Sequence, residues 1–276
     1  MPPSCGRRNR TIALAIALLS LSLPLQAQTV LTGSPEQGGL VLGQTSPGAR
    51  VSLDGRDVPV AADGLFLLGF GRDAAEAARL VIEGTPATEE RLLVVARRDW
   101  PVQKVEGLPR DKAEPDPVAV ARIKAESQMM RDLRGRPTPL AQFLSGLERP
   151  ATGIVSGVFG SQRFYNGNPG APHSGLDIAG PTGSPVRAAA DGVVVLAAPD
   201  LFLTGRTVMI DHGLGLMSSY AHLSAIAVTA GQRVIRGQPI GAIGASGLAT
   251  GAHLHWGMSW QEVRLDPVSV EKLLRR

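Results

Sequence analysis

The chain has 276 residues, 43% of them hydrophobic and only 4% aromatic, with 33 Gly and 21 Pro. That length suits two domains, and that composition suits many short strands and tight turns rather than a helical bundle. The formal charge is +4, but three of the arginines sit at the extreme N-terminus, so the charge is no argument for a nucleic-acid partner.

Arg7, Arg8 and Arg10 precede an apolar run from Thr11 to Leu23, and Pro24-Leu25-Gln26-Ala27 follows with a small residue at its end. This pattern predicts a secretory signal peptide over residues 1–27, cleaved after Ala27. A membrane span needs roughly 20 apolar residues, and the run is shorter. An uncleaved anchor is the alternative. Cys5, the only cysteine, would leave with the signal, and so would three Arg, leaving 25 basic against 24 acidic residues. The expectation is an exported protein of the periplasm or cell envelope, without disulfides and without a transmembrane segment.

Residues 28 to about 100 read as a small β-sandwich-like domain. The runs at Leu40-Val41-Leu42, Ala49–Leu53, Leu65–Phe70, Ala78–Glu83 and Arg91–Ala96 are strand-like, and Asp54-Gly55 is a hairpin signal. No polar cluster there looks catalytic. Residues 101–150 form a charged linker punctuated by prolines. Within it a helix is expected from Pro117, capped by Asp116 and ending near Gly135. Its Arg122, Lys124, Arg131 and Arg134, with Arg136 beyond it, are expected to form a solvated basic face. Residues 151–267 return to strand and turn, and 268–276 read as a tail. The fold class is therefore mainly β.

All five histidines lie between residues 173 and 255. His253 and His255 are two apart, so in a strand they share a face while Leu254 and Trp256 pack behind it. His173 and Asp177 are four apart in a segment whose Pro172, Gly175 and Gly180-Pro181 disfavour a helix. Histidine and aspartate ligands with one position left to water suit a catalytic zinc site, and no cysteine is available for a structural one. Spacing alone does not divide the histidines between binding and catalysis. No His-Glu-x-x-His helix is present.

These segments resemble the LytM/lysostaphin-type zinc metallopeptidases, the M23 peptidase family. His173-Ser174-Gly175-Leu176-Asp177 is similar to its H-x-G-x-D motif, Tyr220-Ala221-His222-Leu223 to Y-x-H-L, and Gly251-Ala252-His253-Leu254-His255 to G-x-H-L-H. Gly231–Val234 and Gly237–Gly241 resemble the stretch joining the last two. The resemblance covers roughly residues 150–260. It implies a compact antiparallel β domain holding one zinc ion in a groove, with His173, Asp177 and His255 as ligands and His222 and His253 as the catalytic pair. It further implies a peptidase of bacterial peptidoglycan cross-links. Three departures stand out: Ala252 in place of Pro, Ser246 in the usual Gly-x-Thr-Gly, and Trp256-Gly257 in place of an aromatic-Glu pair.

Two other functions fit the same residues: a non-catalytic activator of a cell-wall amidase, and a peptidase for glycine-rich bridges or protein substrates. Arg163, Tyr220, Tyr165 and Trp256 are candidate substrate contacts. His212 matches no motif position and reads as a surface histidine at a strand end. Asn166-Gly167-Asn168-Pro169-Gly170 reads as a flexible loop. That loop, or the upstream domain, is a candidate cover for the groove. A monomer is expected.

Overall fold

In a computed structural model of the protein, residues 29–84, 88–105, 116–165 and 167–276 are described. The segment read as a signal peptide and part of the proline-rich linker lie outside them.

The N-terminal part forms two antiparallel sheets. One has three strands in the order β1 (Val30–Thr32), β2 (Leu40–Gln44) and β5 (Leu65–Gly69). The other has four, ordered β4 (Arg56–Val58), β3 (Arg50–Leu53), β6 (Ala77–Glu83) and β7 (Glu89–Val94). In β6, Ala78, Leu80 and Ile82 are buried while Ala77, Arg79 and Glu83 are exposed, the alternation of a sheet with one wet face. The expected hairpin joins β3 to β4, with Asp54 and Gly55 both at positive φ (51° and 74°), as a two-residue turn of this hand requires.

Strand β8 (Val102–Val105) follows, then helix α1 (Pro117–Arg134). The helix keeps the expected limits. Asp116 accepts a hydrogen bond from the Ala119 N–H at 2.7 Å, and Gly135 caps the other end. Its basic face is not wholly solvated. Arg134 is 4% exposed, and burial lowers its pKa.

The C-terminal part is built on an eight-stranded sheet. Its main path runs β18 (Arg233–Val234), β14 (Gly192–Leu201), β15 (Gly205–Gly213), β16 (Leu216–Leu223), β20 (His253–Trp260), β12 (Leu176–Ala179) and β9 (Ile154–Gly157). Strand β21 (Val263–Leu265) pairs with β20. Two small sheets flank it. One joins β13 (Pro185–Arg187), β19 (Pro239–Ala242) and β17 (Ala225–Ile226). The other joins β11 (Asn168–Pro169), β10 (Gln162–Tyr165) and β8, the last pair parallel. The expected flexible loop is thus a β-hairpin, with Asn166 outside the described residues. The expected tail is a helix, α2 (Pro267–Leu274), whose Val270 and Leu274 are buried against the sheet. Among the described residues no helix is long and apolar enough to cross a membrane.

The two parts meet beside the start of the C-terminal sheet. Arg98 pairs with Asp266 at 2.8 Å and lies over Trp100, whose ring meets Phe159 edge-on at 5.6 Å. The Arg72 guanidinium donates to the Gly160 carbonyl at 2.7 Å. These contacts anchor the chain just ahead of β8.

Candidate metal centre

Strands β12 and β20 pair so that Asp177 lies opposite His255. Leu254 and Trp256 are fully buried behind β20, which leaves His253 and His255 on the groove side, as the alternation predicts. His173 precedes β12 and reaches the same point because Gly175 lets the chain pass close to β20. A Cβ at Gly175 would sit 2.4 Å from the Trp256 carbonyl oxygen and 2.9 Å from the His255 ring, distances no side chain tolerates. The glycine of the His-x-Gly-x-Asp segment is therefore a packing requirement of the site.

The tautomers follow from the partners. His173 Nδ1–H donates to the Val158 carbonyl at 3.0 Å, so in the neutral ring Nε2 carries the lone pair. That Nε2 lies 3.0 Å from both His255 Nδ1 and Asp177 Oδ1, and His255 Nδ1 lies 2.9 Å from the same oxygen. Three candidate ligand atoms thus converge within about a hydrogen-bond length of one another. In a tetrahedral zinc site with bonds of 2.0–2.2 Å, ligand atoms stand roughly 3.3 Å apart. The triangle fits a small divalent cation after slight expansion, and the donor set, two imidazoles and a carboxylate, fits zinc.

Burial alone raises the Asp177 pKa, but hydrogen bonds and charge from His173 and His255 outweigh it and hold the carboxyl well below the usual range. Burial lowers His255 to about 4, against the opposing pull of Asp177. At neutral pH the cluster therefore presents an ionised Asp177 carboxylate and a neutral His255 imidazole, the states in which both bind metal.

His222 arrives differently. Tyr220 is on the core face, so regular alternation would bury His222 there too. Instead His222 has φ 61°, a left-handed conformation uncommon outside glycine, and the ring turns into the groove. Its N–H donates to Thr204 O at 2.8 Å. The ring Nδ1–H donates to the Ser246 carbonyl at 2.8 Å, and His253 Nδ1–H donates to the Gly251 carbonyl at 2.9 Å. Neither of these bonds uses Nε2; that of His253 lies 3.8 Å from Asp177 Oδ1, and the two ring centroids are 4.7 Å apart. Burial, then the neighbouring His255 and His253, lower the His222 pKa to about 3. Two imidazoles beside the triangle can accept a proton or donate one, as general acid–base catalysis requires. A groove of about 240 Å³ opens here, lined in part by His173, His222, His255, Leu203 and Thr204. Among the described residues, none before Arg163 lines it.

Three sequence expectations need correction. Tyr220 is fully buried, its hydroxyl bonded to the Ala189 N–H and to Ser218 at 2.9 Å each; it is a core residue and not a substrate contact. Trp256, also fully buried, is excluded from that role for the same reason. His212 is no surface histidine: it is 0% exposed, with ring nitrogens 2.7 Å from the Asp191 carbonyl and the Ser218 hydroxyl. Arg163 borders the groove, and its guanidinium donates to Asp177 Oδ2 at 2.5 Å and Gln103 Oε1 at 3.1 Å.

Residues 171–267 match Peptidase family M23. A crystal structure from Pseudomonas aeruginosa, described as a peptidase M23, superposes with a TM-score of 0.69 and 30% identity, over 87% of this chain and 96% of that one. The chain belongs to peptidase family M23. Among curated relatives, the peptidoglycan DD-endopeptidase ShyA of Vibrio cholerae is 46% identical over 102 residues, 37% of this chain and 23% of its own length. The DD-carboxypeptidase/endopeptidase Mpg of Neisseria meningitidis is 43% identical over 98 residues, 36% of this chain and 22% of its own. This M23 chain thus spans about a quarter of the length of the curated relatives it matches.

One departure from the family pattern is explained by the geometry. The Ser246 hydroxyl accepts from the Arg206 N–H at 2.9 Å and donates to the Leu223 carbonyl at 2.8 Å, while the Ser246 carbonyl holds His222. The position needs a hydroxyl, which Ser supplies as well as Thr.

Proposed function

We propose that the chain is a zinc-dependent endopeptidase that hydrolyses peptide cross-links of bacterial peptidoglycan, exported to the periplasm or cell envelope. One observation carries the reading: His173 Nε2, Asp177 Oδ1 and His255 Nδ1 converge within 3.0 Å of one another, beside two imidazoles whose hydrogen bonds are made through Nδ1. His173, Asp177 and His255 would hold one zinc ion, which supplies an ionisable water and polarises the scissile carbonyl when bound. His222 and His253 then have the proton work. In neutral form, held by Ser246 and Gly251, each presents Nε2 to accept the proton of the attacking water; once protonated, each donates to the developing oxyanion or the leaving amine. The names of the relatives ShyA and Mpg support a peptidoglycan substrate. A non-catalytic activator of an amidase would have no use for a complete ligand set and acid–base pair.

The test uses the chain from residue 28 onward. About one zinc per chain and release of un-cross-linked muropeptides by mass spectrometry, both abolished by a chelator, are expected. Digestion that persists without metal overturns the reading, as does a chain active only through a partner hydrolase.

A further inference from the structure

We propose that Arg163 and Gln103 are positioning residues for the metal centre, so that a strand of the upstream linker is part of that centre. The proposal rests on the zinc reading above and deepens it. Both residues lie outside the stretch that matches the family, which begins at residue 171.

The Asp177 carboxylate has two oxygens in different surroundings. Oδ1 faces His173 and His255. Oδ2 faces away and takes a hydrogen bond from Arg163 Nη2 at 2.5 Å, in an ion pair whose side chains are 16% and 8% exposed. A carboxylate held only by its metal-facing oxygen can rotate or offer both oxygens to a cation; one pinned at Oδ2 offers Oδ1 alone. The pin is itself held. Strands β8 and β10 pair in parallel with Gln103 opposite Arg163, so the two side chains share a face, and Arg163 Nε donates to Gln103 Oε1 at 3.1 Å. Gln103 Nε2 in turn donates to the Ser156 carbonyl at 3.4 Å.

Room for this arrangement is kept by Gly157, which lies opposite Asp177 across β9 and β12. A Cβ at Gly157 would stand 2.5 Å from Asp177 Oδ2 and 2.8 Å from Arg163 Nη2. Strand β8 is fixed at its entry too, since Gln162 N–H donates to Pro101 O at 2.8 Å and Trp100 packs on Phe159. Arginine suits the post because its planar fork engages the two acceptors at once with fixed geometry, which the single ammonium of lysine does not. With Nε and Nη2 committed, Nη1 is what the guanidinium has left for a further partner.

The experiment compares the chain from residue 28 with its Arg163→Met, Arg163→Lys and Gln103→Leu variants. Two quantities are read: the zinc dissociation constant by chelator competition, and the visible absorption spectrum of the cobalt-loaded protein. Loss of a group that orients a ligand weakens metal binding about 10–100-fold. That rise in Kd is expected for Arg163→Met, with an altered cobalt spectrum. Arg163→Lys should recover part of the affinity, and Gln103→Leu should weaken binding in the same direction by less. Gln103 is half-buried on a short flanking strand, so its variant keeps the question open to test if Arg163→Met does not fold. Wild-type affinity and an unchanged spectrum in Arg163→Met and Gln103→Leu overturn the proposal. A raised KM with unchanged metal binding would reassign Arg163 to the substrate. A parent chain that takes up neither metal sinks the zinc reading itself, a distinct result.

Discussion

Two regions of one sheet hold buried histidines and use them in opposite ways. His212 on β15 and His222 on β16 are 0% and 8% exposed, and burial lowers the pKa of both. Around His212 every polar atom is used. Nδ1–H donates to the Asp191 carbonyl, Nε2 accepts from the Ser218 hydroxyl, and Ser218 and Tyr220 continue the chain to the Ala189 N–H. Around His222 only Nδ1 is used, and Nε2 looks into the groove toward His253. An imidazole closed at both nitrogens is a cross-brace. One closed at a single nitrogen is fixed in tautomer and direction with a reactive lone pair left over. Burial does not separate the two kinds; the count of occupied nitrogens does.

The largest effects should come from the open region, and they should divide. His255→Ala removes an imidazole of the converging triangle; zinc content should fall to background and muropeptide release with it. His253→Ala leaves the triangle intact, so zinc should be retained while turnover falls about 10²- to 10⁴-fold, the usual range for a lost acid–base group. Metal analysis and a digestion assay on the same samples read both. Zinc lost equally from both variants would mean that His253 is a ligand.

The closed region should answer in stability. His212→Leu leaves the Asp191 carbonyl without the imidazole and the Ser218 hydroxyl with Tyr220 alone, at about 1–3 kcal/mol for a buried group left unpaired. Tyr220→Phe removes the acceptor of the Ala189 N–H and should cost about 1–3 kcal/mol on the same ground. Both are checked by urea unfolding. Below the unfolding transition, zinc content and turnover should stay near those of the parent. A selective rise in KM for Tyr220→Phe would instead place the phenol within reach of the substrate.

This contrast marks how far the sequence alone was legible. Period-two alternation placed His253 and His255 on one face and Leu254 and Trp256 on the other, and the strands agree. Proline, Asp116 and Gly135 marked helix α1 to within a residue, because capping is local chemistry. What local pattern does not carry is a break in the pattern. The left-handed backbone at His222 moves its ring off the face it would share with Tyr220, and no residue type announces this. The closure of His212 depends on Asp191 and Ser218, brought together by strand pairing. Arg163 reads from the sequence as a candidate substrate contact; its pairing with Asp177 and Gln103, 14 and 60 residues away, is invisible there. Helix α2 passed as a tail although Asp266 caps it and Pro267 opens it, the same signals that marked α1. Its eight residues are too few to show a clear apolar period.

Acid should register the two regions together, and one substitution can separate them. A histidine whose folded pKa lies below its unfolded value of about 6.5 stabilises the fold fully above that value. The contribution is lost as pH falls, because the unfolded chain then takes up a proton that the fold refuses. For His222, refused down to about pH 3, the loss between pH 7.5 and pH 5 amounts to about 2 kcal/mol. His212 adds a loss of the same sign. Urea unfolding of chelator-treated protein at the two pH values should show this fall. His222→Gln should keep only the part that comes from the rest of the chain, His212 included. If the fall is as steep in His222→Gln as in the parent, His222 does not resist protonation in the fold, and its imidazole takes up a proton as readily as in the unfolded chain. If the fall vanishes, the closed network around His212 accepts a proton without cost. That outcome would require the Ser218 hydroxyl to turn away from Nε2 and find another acceptor, such as the Tyr220 oxygen 2.9 Å away.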